Sequence, residues 1–462
     1  MRRENDLGRD PIGPLVLRLA VPSMIAQFVN VLYSIIDRMY IGNIKGVGDL
    51  ALAGVGVCGP IVTLLSSFGT LVGLGGSILM AMRLGENNKK MAYKLLANSF
   101  LMLTVFSVVL TIIFLLIKNK LLMWFGASET TFAYANTYLS IYTAGTFFAL
   151  MAMGLNYFIN CQGFSTVGMM SVVIGAVSNI ILDPVFIFLF DMGVAGAALA
   201  TVLSQFFSFA FAASFLFGKR PPVKITFGGY DFKMWLKIIS VGLSPFLILA
   251  TDSVIIIVMN AVLQKAGGAQ GDTLITCVTI IQSYFMLITG PMIGISGGTQ
   301  AVISFNYGAA QSGRIRRAEK DILLLCIAFT VIMFVVSRTV PQYFVQVFTS
   351  SPEHIELSVW GIKVFTLGII PLSFEYVLVD GLTALGRTKT ALCISMFRKC
   401  FYCFNVVLFA FVFTAKDAFF AQPVSDITAS VIAITVFLLV FNKHLKKREE
   451  RYAAEGIGLS AK

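Results

Sequence analysis

The stretch SNIILDPVFIFLFDMGVAGAALATVLSQ (178–205) places a carboxylate, Asp183, in the middle of an apolar helix. An ionisable group inside hydrocarbon is costly unless it is partnered, so this position indicates function. Turn residues near Asp191 and Gly193 predict a helical hairpin whose tip lies about nine residues from both Asp183 and Thr201. At a rise of ~1.5 Å per residue, both side chains are expected about 13 Å from the tip, at the same depth.

Two further polar residues are candidates for the same site. Asn179 precedes Asp183 by one helical turn and can share its helix face. Asp37, in the first apolar stretch, is the natural second carboxylate, since two close acids can share a proton or jointly neutralise a sodium ion. In the alternative interpretation, Asp37 pairs with Arg38 or caps the turn before Gly42. We favour the site, because adjacent residues point to different sides of a helix.

Composition indicates an integral membrane protein. The 462 residues are 57% hydrophobic and 13% charged, with a mean hydropathy of +0.85. Stretches long enough to cross a ~30 Å hydrocarbon core recur along the chain. Twelve spans are predicted, at about 14–42, 50–82, 93–117, 133–159, 166–190, 194–217, 235–263, 273–305, 319–342, 356–385, 390–413 and 421–442. The chain is therefore predicted to be an all-α membrane protein with twelve transmembrane helices.

The charge pattern predicts orientation and argues against nucleic-acid binding. Lys and Arg number 35 against 23 acidic residues, but the bases fall between apolar runs. They gather in alternate loops, as in the segment 218–237 and the tail after Lys443. By the positive-inside rule, both termini are expected in the cytoplasm, in a multi-pass protein of the cell's inner membrane.

An internal repeat divides the chain into two halves. Gly75 and Gly298 occupy equivalent places in them, and Asp37 corresponds to Asn260. We therefore predict a six-helix N-terminal lobe (1–217), a basic cytoplasmic linker (218–234), a six-helix C-terminal lobe (235–444) and a basic-to-mixed cytoplasmic tail (445–462). Because each half has an even number of spans, the lobes are expected to share one orientation and to create a central cleft.

Enzymatic readings are not supported by the sequence. Gly54, Gly56 and Gly59 spell a dinucleotide-binding pattern, but they lie inside an apolar helix without a preceding strand. We interpret them as sites of close helix packing. No phosphate-binding loop of the ATPase type occurs, and the two histidines do not suggest a metal site or a triad. We expect a transporter without a cofactor.

Several longer segments resemble one transporter family. They are LRLAVPSMIAQFVNVLYSIIDRMYIGN, LNYFINCQGFSTVG, SNIILDPVFIF, MGVAGAALATVLSQ and GISGGTQAVISFNYGAA. Together they resemble the multidrug and toxic compound extrusion (MATE) family, most closely its MepA-type bacterial exporters. The resemblance implies two six-helix lobes in a V-shaped, monomeric exporter that expels organic cations in exchange for protons or sodium ions. It implies a coupling site at Asp37, Asn156, Asn179, Asp183 and Thr201. A sodium ion, if used, is expected at Asp37, Asn179, Asp183 and Thr201.

Polar residues in the second half are candidates for a substrate cleft. They are Asp252, Asn260, Gln282 and Glu375. Glu375 is equally consistent with a buried ion pair to Arg398. The sequence thus predicts an ion-coupled exporter of amphipathic cations that works by alternating access. A flippase for lipids or lipid-linked oligosaccharides, from the same superfamily, is the alternative, although a pyrophosphate would require a more cationic cleft.

Overall fold

A computed structural model describes residues 5–454, apart from the side chains of Asp49, Ser253, Ala269 and Asp272. Arg2, Arg3 and the end of the predicted tail (455–462) lie outside the described residues. Over the described range the chain is helical, with no strand. The predicted all-α class is confirmed.

The apolar stretches fold into long helices joined by short turns. Those of the first half are α1 Ile12–Gly42, α2 Gly48–Gly85, α3 Lys89–Trp124, α4 Glu129–Ala144, α5 Thr146–Asn160, α6 Ser165–Pro184 and α7 Gly193–Phe217. Those of the second half are α8 Phe232–Gly267, α9 Gly271–Gly308, α10 Ser312–Thr339, α11 Pro341–Val345, α12 Pro352–Phe365, α13 Ile369–Ala384, α14 Thr388–Val412 and α15 Ala421–Ala454.

Within residues 5–454, eleven helical segments are long and apolar enough to cross a membrane, and a twelfth span forms if the bent pair α4 and α5 is counted as one. The two helices meet at an angle of 56°. Gly145 separates them, and a Cβ at this position would overlap the side chain of Val202 on α7. The bend therefore lies where α7 packs closely against it. The twelve predicted spans agree with this count.

Two compact units form within residues 5–454. The first contains the chain up to Arg9 together with Ile25–Ala250, and the second contains Asp10–Met24 together with the chain from Thr251 onwards. The borders thus fall inside α1 and α8. The six-span lobes predicted from the repeat describe sequence similarity, whereas these units describe packing. The beginning of α1, from the first half, belongs to the second unit, and the beginning of α8, from the second half, belongs to the first unit.

Glycines permit these exchanged helix segments to pack. In the first unit, a Cβ on Gly75 of α2 would lie 2.5 Å from the carbonyl oxygen of Ile238 on α8. In the second unit, a Cβ on the repeat-equivalent Gly298 of α9 would overlap Ser23 of α1. Such contacts need the small surface that glycine provides. The two positions matched by the repeat therefore have the same role, which is to let a helix from the other half of the chain pack closely.

The interpretation of the glycine pattern in α2 is correct for only one residue. A Cβ on Gly54 would lie 2.9 Å from the Cβ of Tyr134 on α4. Gly56 and Gly59 have no such neighbour within 4 Å. A one-dimensional pattern cannot separate these positions, because only the path of the neighbouring helix decides which glycine it meets.

Candidate functional site

Asp183 lies at the end of α6 with no exposed surface, as does Asn179 one turn earlier. Pro184 follows and has no N–H group to continue the helical bonding, and the chain widens into a π-helical turn at Val185–Leu189. The Asn179 amide nitrogen donates a hydrogen bond to Asp183 Oδ1 at 3.2 Å. Asp183 Oδ2 and Asn179 Oδ1 have no hydrogen-bond partner among the described residues. The predicted sharing of one helix face is thus seen directly.

The Asp37 carboxyl group, on α1, lies within hydrogen-bonding reach of the Asp183 carboxyl group. Asp37 Oδ1, like Asp183 Oδ2, has no donor among the described residues. Two acceptors can face each other in this way only when a proton or a cation lies between them or is carried by one of them. Arg38 is exposed and forms no ion pair with Asp37 in the described part of the chain. The two carboxyl groups therefore form the chemical centre of the site.

Aromatic hydroxyl groups surround this pair, and the sequence analysis missed them. Tyr33, one turn before Asp37, interacts electrostatically with both carboxyl groups. Tyr138 and Tyr142, on α4, are 7% and 3% exposed, and Tyr138 also interacts with Asp37. The spacing of four residues, in Tyr33 with Asp37 and in Tyr138 with Tyr142, is a signal that could have identified them.

Thr201 joins the site through these tyrosines. Its hydroxyl donates to the Ala197 carbonyl oxygen at 3.0 Å and lies within hydrogen-bonding reach of Tyr138. Farther along α7, the Gln205 amide nitrogen donates to the Tyr142 hydroxyl at 3.3 Å. Four elements, α1, α4, α6 and α7, thus contribute polar groups to one buried region of the first unit.

Asn156 does not lie with this group. Its amide nitrogen donates to the Gly168 carbonyl oxygen at 2.8 Å, and its amide oxygen accepts from Asn160 at 2.8 Å. Gly168 precedes Asp183 by about fifteen residues on α6, which corresponds to ~22 Å of helix rise. Asn156 is therefore at another depth, where it joins α5 to the beginning of α6. Its assignment to the coupling site, made from the family resemblance, is corrected by this geometry.

The candidates in the second unit are partly ion-paired. Lys399 Nζ lies 2.6 Å from Asp252 Oδ1, with the Lys399 side chain 4% exposed and that of Asp252 48% exposed. Arg398 lies 2.9 Å from Glu375 and 3.4 Å from Asp426. Of the two interpretations of Glu375, the structure therefore shows the ion pair with Arg398. Lys399 and Asp426 were not anticipated from the sequence.

The remaining two candidates lie apart from these ion pairs. Asn260 is about eight residues beyond Asp252 on α8, or ~12 Å along the helix, and its Oδ1 has no hydrogen-bond partner among the described residues. Gln282 is half-buried on α9. The four predicted cleft residues therefore do not form one cluster comparable to that around Asp183.

Comparison with known proteins places this arrangement in context. A sequence model of the MatE family matches residues 22–185 and 246–410, once in each half. The multidrug export protein MepA of Staphylococcus haemolyticus (strain JCSC1435) is 24% identical over 388 residues, which are 81% of this chain and 82% of that protein. MepA of Staphylococcus aureus (strain MSSA476) is 22% identical over 391 residues, 83% and 84% of the respective chains.

A solved structure has the same fold. It is that of a multidrug resistance MATE family transporter of the MOP superfamily in an outward-facing conformation. The TM-score is 0.89 at 23% sequence identity, and the match covers 96% of this chain and 100% of the other. At this identity the likeness establishes the fold, while the chemistry must be argued from the residues of this chain.

Proposed function

Because this chain belongs to the MatE family of multidrug efflux transporters, we propose that it exports small organic cations in exchange for protons or sodium ions. The observation that carries the ion coupling is the contact between half-buried Asp37 and buried Asp183, each of which has one carboxyl oxygen without a hydrogen-bond donor among the described residues. Cargo export follows from the family, and the MepA relatives are named for it.

The chemistry of the pair explains how an ion can bind. Two ionised carboxylates in contact repel each other in a region of low dielectric, where charge is poorly solvated. One proton relieves this repulsion, because a protonated carboxyl group can donate a hydrogen bond to its neighbour. A sodium ion can do the same with oxygen ligands from Asp37, Asn179, Asp183 and Thr201. Either ion neutralises charge that no base among the described residues neutralises in an ion pair.

Coupling requires that the ion prefers one conformation. If the arrangement of Asp37 and Asp183 differs between outward-open and inward-open states, an ion entering from outside shifts the population between them. The differential affinity for the ion is then the free energy available for releasing cargo. Alternating access is this exchange of states.

In the second unit, Asp252 is the acid that a cationic cargo could reach, because its side chain is 48% exposed, and such a cation would compete with Lys399 for it. Glu375 is buried and held by Arg398, which favours a structural role. We place both termini in the cytoplasm of the cell and expect the protein to act as a monomer. A lipid-linked pyrophosphate is a poorer cargo, since Arg398 and Lys399 are already paired with acids.

The decisive experiment is efflux of a fluorescent cation from proteoliposomes under an imposed proton gradient and, separately, a sodium gradient. Wild-type protein is expected to respond to one of them. Asp183→Asn is expected to reduce driven efflux at least tenfold. The double variant, Asp37→Asn with Asp183→Asn, is expected to reduce efflux no further, because the pair binds one ion as a unit.

Asp191→Asn is the matched control. Asp191 is an exposed acid in the turn after Asp183, and its backbone conformation, with φ of 52°, is one that Asn adopts well. Efflux by the Asp191→Asn variant should equal that of the wild type. If neither gradient drives efflux, or if Asp183→Asn transports normally, ion coupling at this pair is wrong. Movement of a lipid-linked pyrophosphate in place of the cation would support the flippase instead.

A further inference from the structure

A glutamate outside the Asp37 and Asp183 site is buried without any hydrogen-bond donor. Glu319 lies near the beginning of α10, about seven residues after Ser312, and is 5% exposed. Neither of its carboxyl oxygens has a partner among the described residues. An ionised carboxylate in this state loses its hydration and gains nothing in return, which costs several kcal/mol.

The neighbours of Glu319 are acidic or neutral. Asp380 on α13 is the ionisable group that acts on it electrostatically. A Cβ on Gly381, the next residue, would overlap both carboxyl oxygens of Glu319. The carboxyl group therefore packs directly against the backbone of α13 beside another acid. From α9, the side chains of Ser296 and Gln300 face the same place.

Asp380 and Glu319 differ in their donors. Ser296 Oγ donates to Asp380 Oδ2 at 2.5 Å, and Gln300 also hydrogen-bonds to Asp380. Asp380 can therefore remain ionised, whereas Glu319 has no such support. Gln300 Oε1, on a side chain that is 4% exposed, has no partner either. An acceptor without a donor beside a carboxyl group is suited to receive an O–H bond.

The bases nearest in sequence to Glu319 point elsewhere. Arg314 donates to Asn306 Oδ1 at 2.8 Å and to the Asp10 carbonyl oxygen at 2.9 Å. Arg316 donates to Asn442 Oδ1 at 3.3 Å, Arg317 pairs with Asp321 at 3.5 Å, and Lys320 is exposed. The usual explanation of a buried acid, an ion pair with a base on its own helix, therefore does not apply to Glu319.

We propose that Glu319, with Asp380 and Gln300, forms a second proton-binding site, located in the second unit, and that Glu319 carries the proton. A proton fits where a sodium ion does not, since the Glu319 oxygens already contact the Gly381 backbone and leave no room for a shell of ligands. At the repeat offset that matches Gly75 to Gly298, the first half has Leu96 at the position of Glu319 and Tyr157 at the position of Asp380. The acidic site belongs to the second half alone. A role for this proton in coupling rests on the proposed function. The presence of the proton on Glu319 does not rest on it.

Infrared spectroscopy of the purified full chain in lipid nanodiscs tests this directly. A protonated carboxyl group gives a carbonyl band distinct from that of a carboxylate, and the band shifts in heavy water. In a background with both Asp37→Asn and Asp183→Asn, which removes the two carboxyl groups of the first site, we expect a band equivalent to one proton per chain at neutral pH. Adding Glu319→Gln should abolish it. Adding Asp380→Asn should retain it, because Glu319 remains buried.

Asp321→Asn is the matched control, since Asp321 lies two residues beyond Glu319 on the same helix in an ion pair with the well-exposed Arg317. It should leave the band unchanged. If Glu319→Gln does not fold, Glu319→Met gives the same test, because a neutral buried group tolerates an apolar substitute of similar size. An unchanged band in the Glu319 variants, or a carboxylate at Glu319 that responds to sodium and not to pH, overturns the proposal. None of these readings depends on whether the protein transports.

Discussion

At the scale of single residues, five acids within the helices of this protein fall into two classes, according to whether a base neutralises them. Asp252 and Glu375 each have one, Lys399 and Arg398. Asp37, Asp183 and Glu319 have none within bonding distance among the described residues. The first class needs no further partner to remain ionised. The second class requires a proton or a cation, and exchange of that ion is the chemistry a coupled transporter needs.

The pairing of Asp252 with Lys399 makes a prediction about stability. Asp252→Asn leaves the Lys399 ammonium buried beside a neutral group, so the melting temperature should fall. The loss should be smaller than the ~3–5 kcal/mol found for fully buried pairs, because the Asp252 side chain is 48% exposed. Removing both charges, in Asp252→Asn with Lys399→Met, should restore part of the loss. A double variant less stable than Asp252→Asn alone would contradict this, as measured by thermal unfolding in detergent.

At the scale of helices, close packing decides which glycines matter. Gly75 and Gly59 both lie in α2, but a Cβ would meet the α8 backbone at Gly75 and open space at Gly59. Replacing glycine by alanine inside a helix normally stabilises it by ~1 kcal/mol. A clash with backbone that cannot rotate away reverses that sign, with a cost of about 1–3 kcal/mol.

Two substitutions in α2 separate these effects. Gly75→Ala is expected to lower the melting temperature, while Gly59→Ala is expected to leave it unchanged or raise it. Thermal unfolding of both variants under identical conditions provides the measurement, with Gly59→Ala as the control for helix propensity. Equal effects of the two substitutions would mean that the contact between α2 and α8 is not tight.

At the scale of the whole molecule, the distribution of bases predicts the orientation in the membrane. Lys and Arg are concentrated in alternate loops, among them the segment between α7 and α8, and such loops remain in the cytoplasm. The turn at Asp191 should then face outward.

Labelling of introduced cysteines measures this orientation. In a variant without the seven native cysteines, Asp191→Cys should react with a membrane-impermeant maleimide on intact cells. Gly228→Cys, between α7 and α8, should react only after permeabilisation. The opposite pattern would reverse the orientation and, with it, the side from which an ion reaches Asp183.

Features carried by local sequence were predictable. Apolar length gave the twelve spans, because a membrane helix must satisfy its own backbone. Helical periodicity brought Asn179 to Asp183, since residues four apart share a face. The repeat identified Gly75 and Gly298 as equivalent before their contacts were known.

Features that depend on pairing between distant segments were decided only by the tertiary structure. Tyr138 of α4 interacts with Asp37 of α1, and Lys399 forms an ion pair with Asp252, although the partners in each pair are far apart in the chain. Asn156 and Glu319 both show that sequence alone does not give the position of a side chain in the fold. A family pattern assigned Asn156 to a site from which ~22 Å of helix separates it, while Glu319 sits in an ordinary charged segment whose burial no local pattern reveals. Sequence fixes what lies on each helix face, but only packing determines what that face meets.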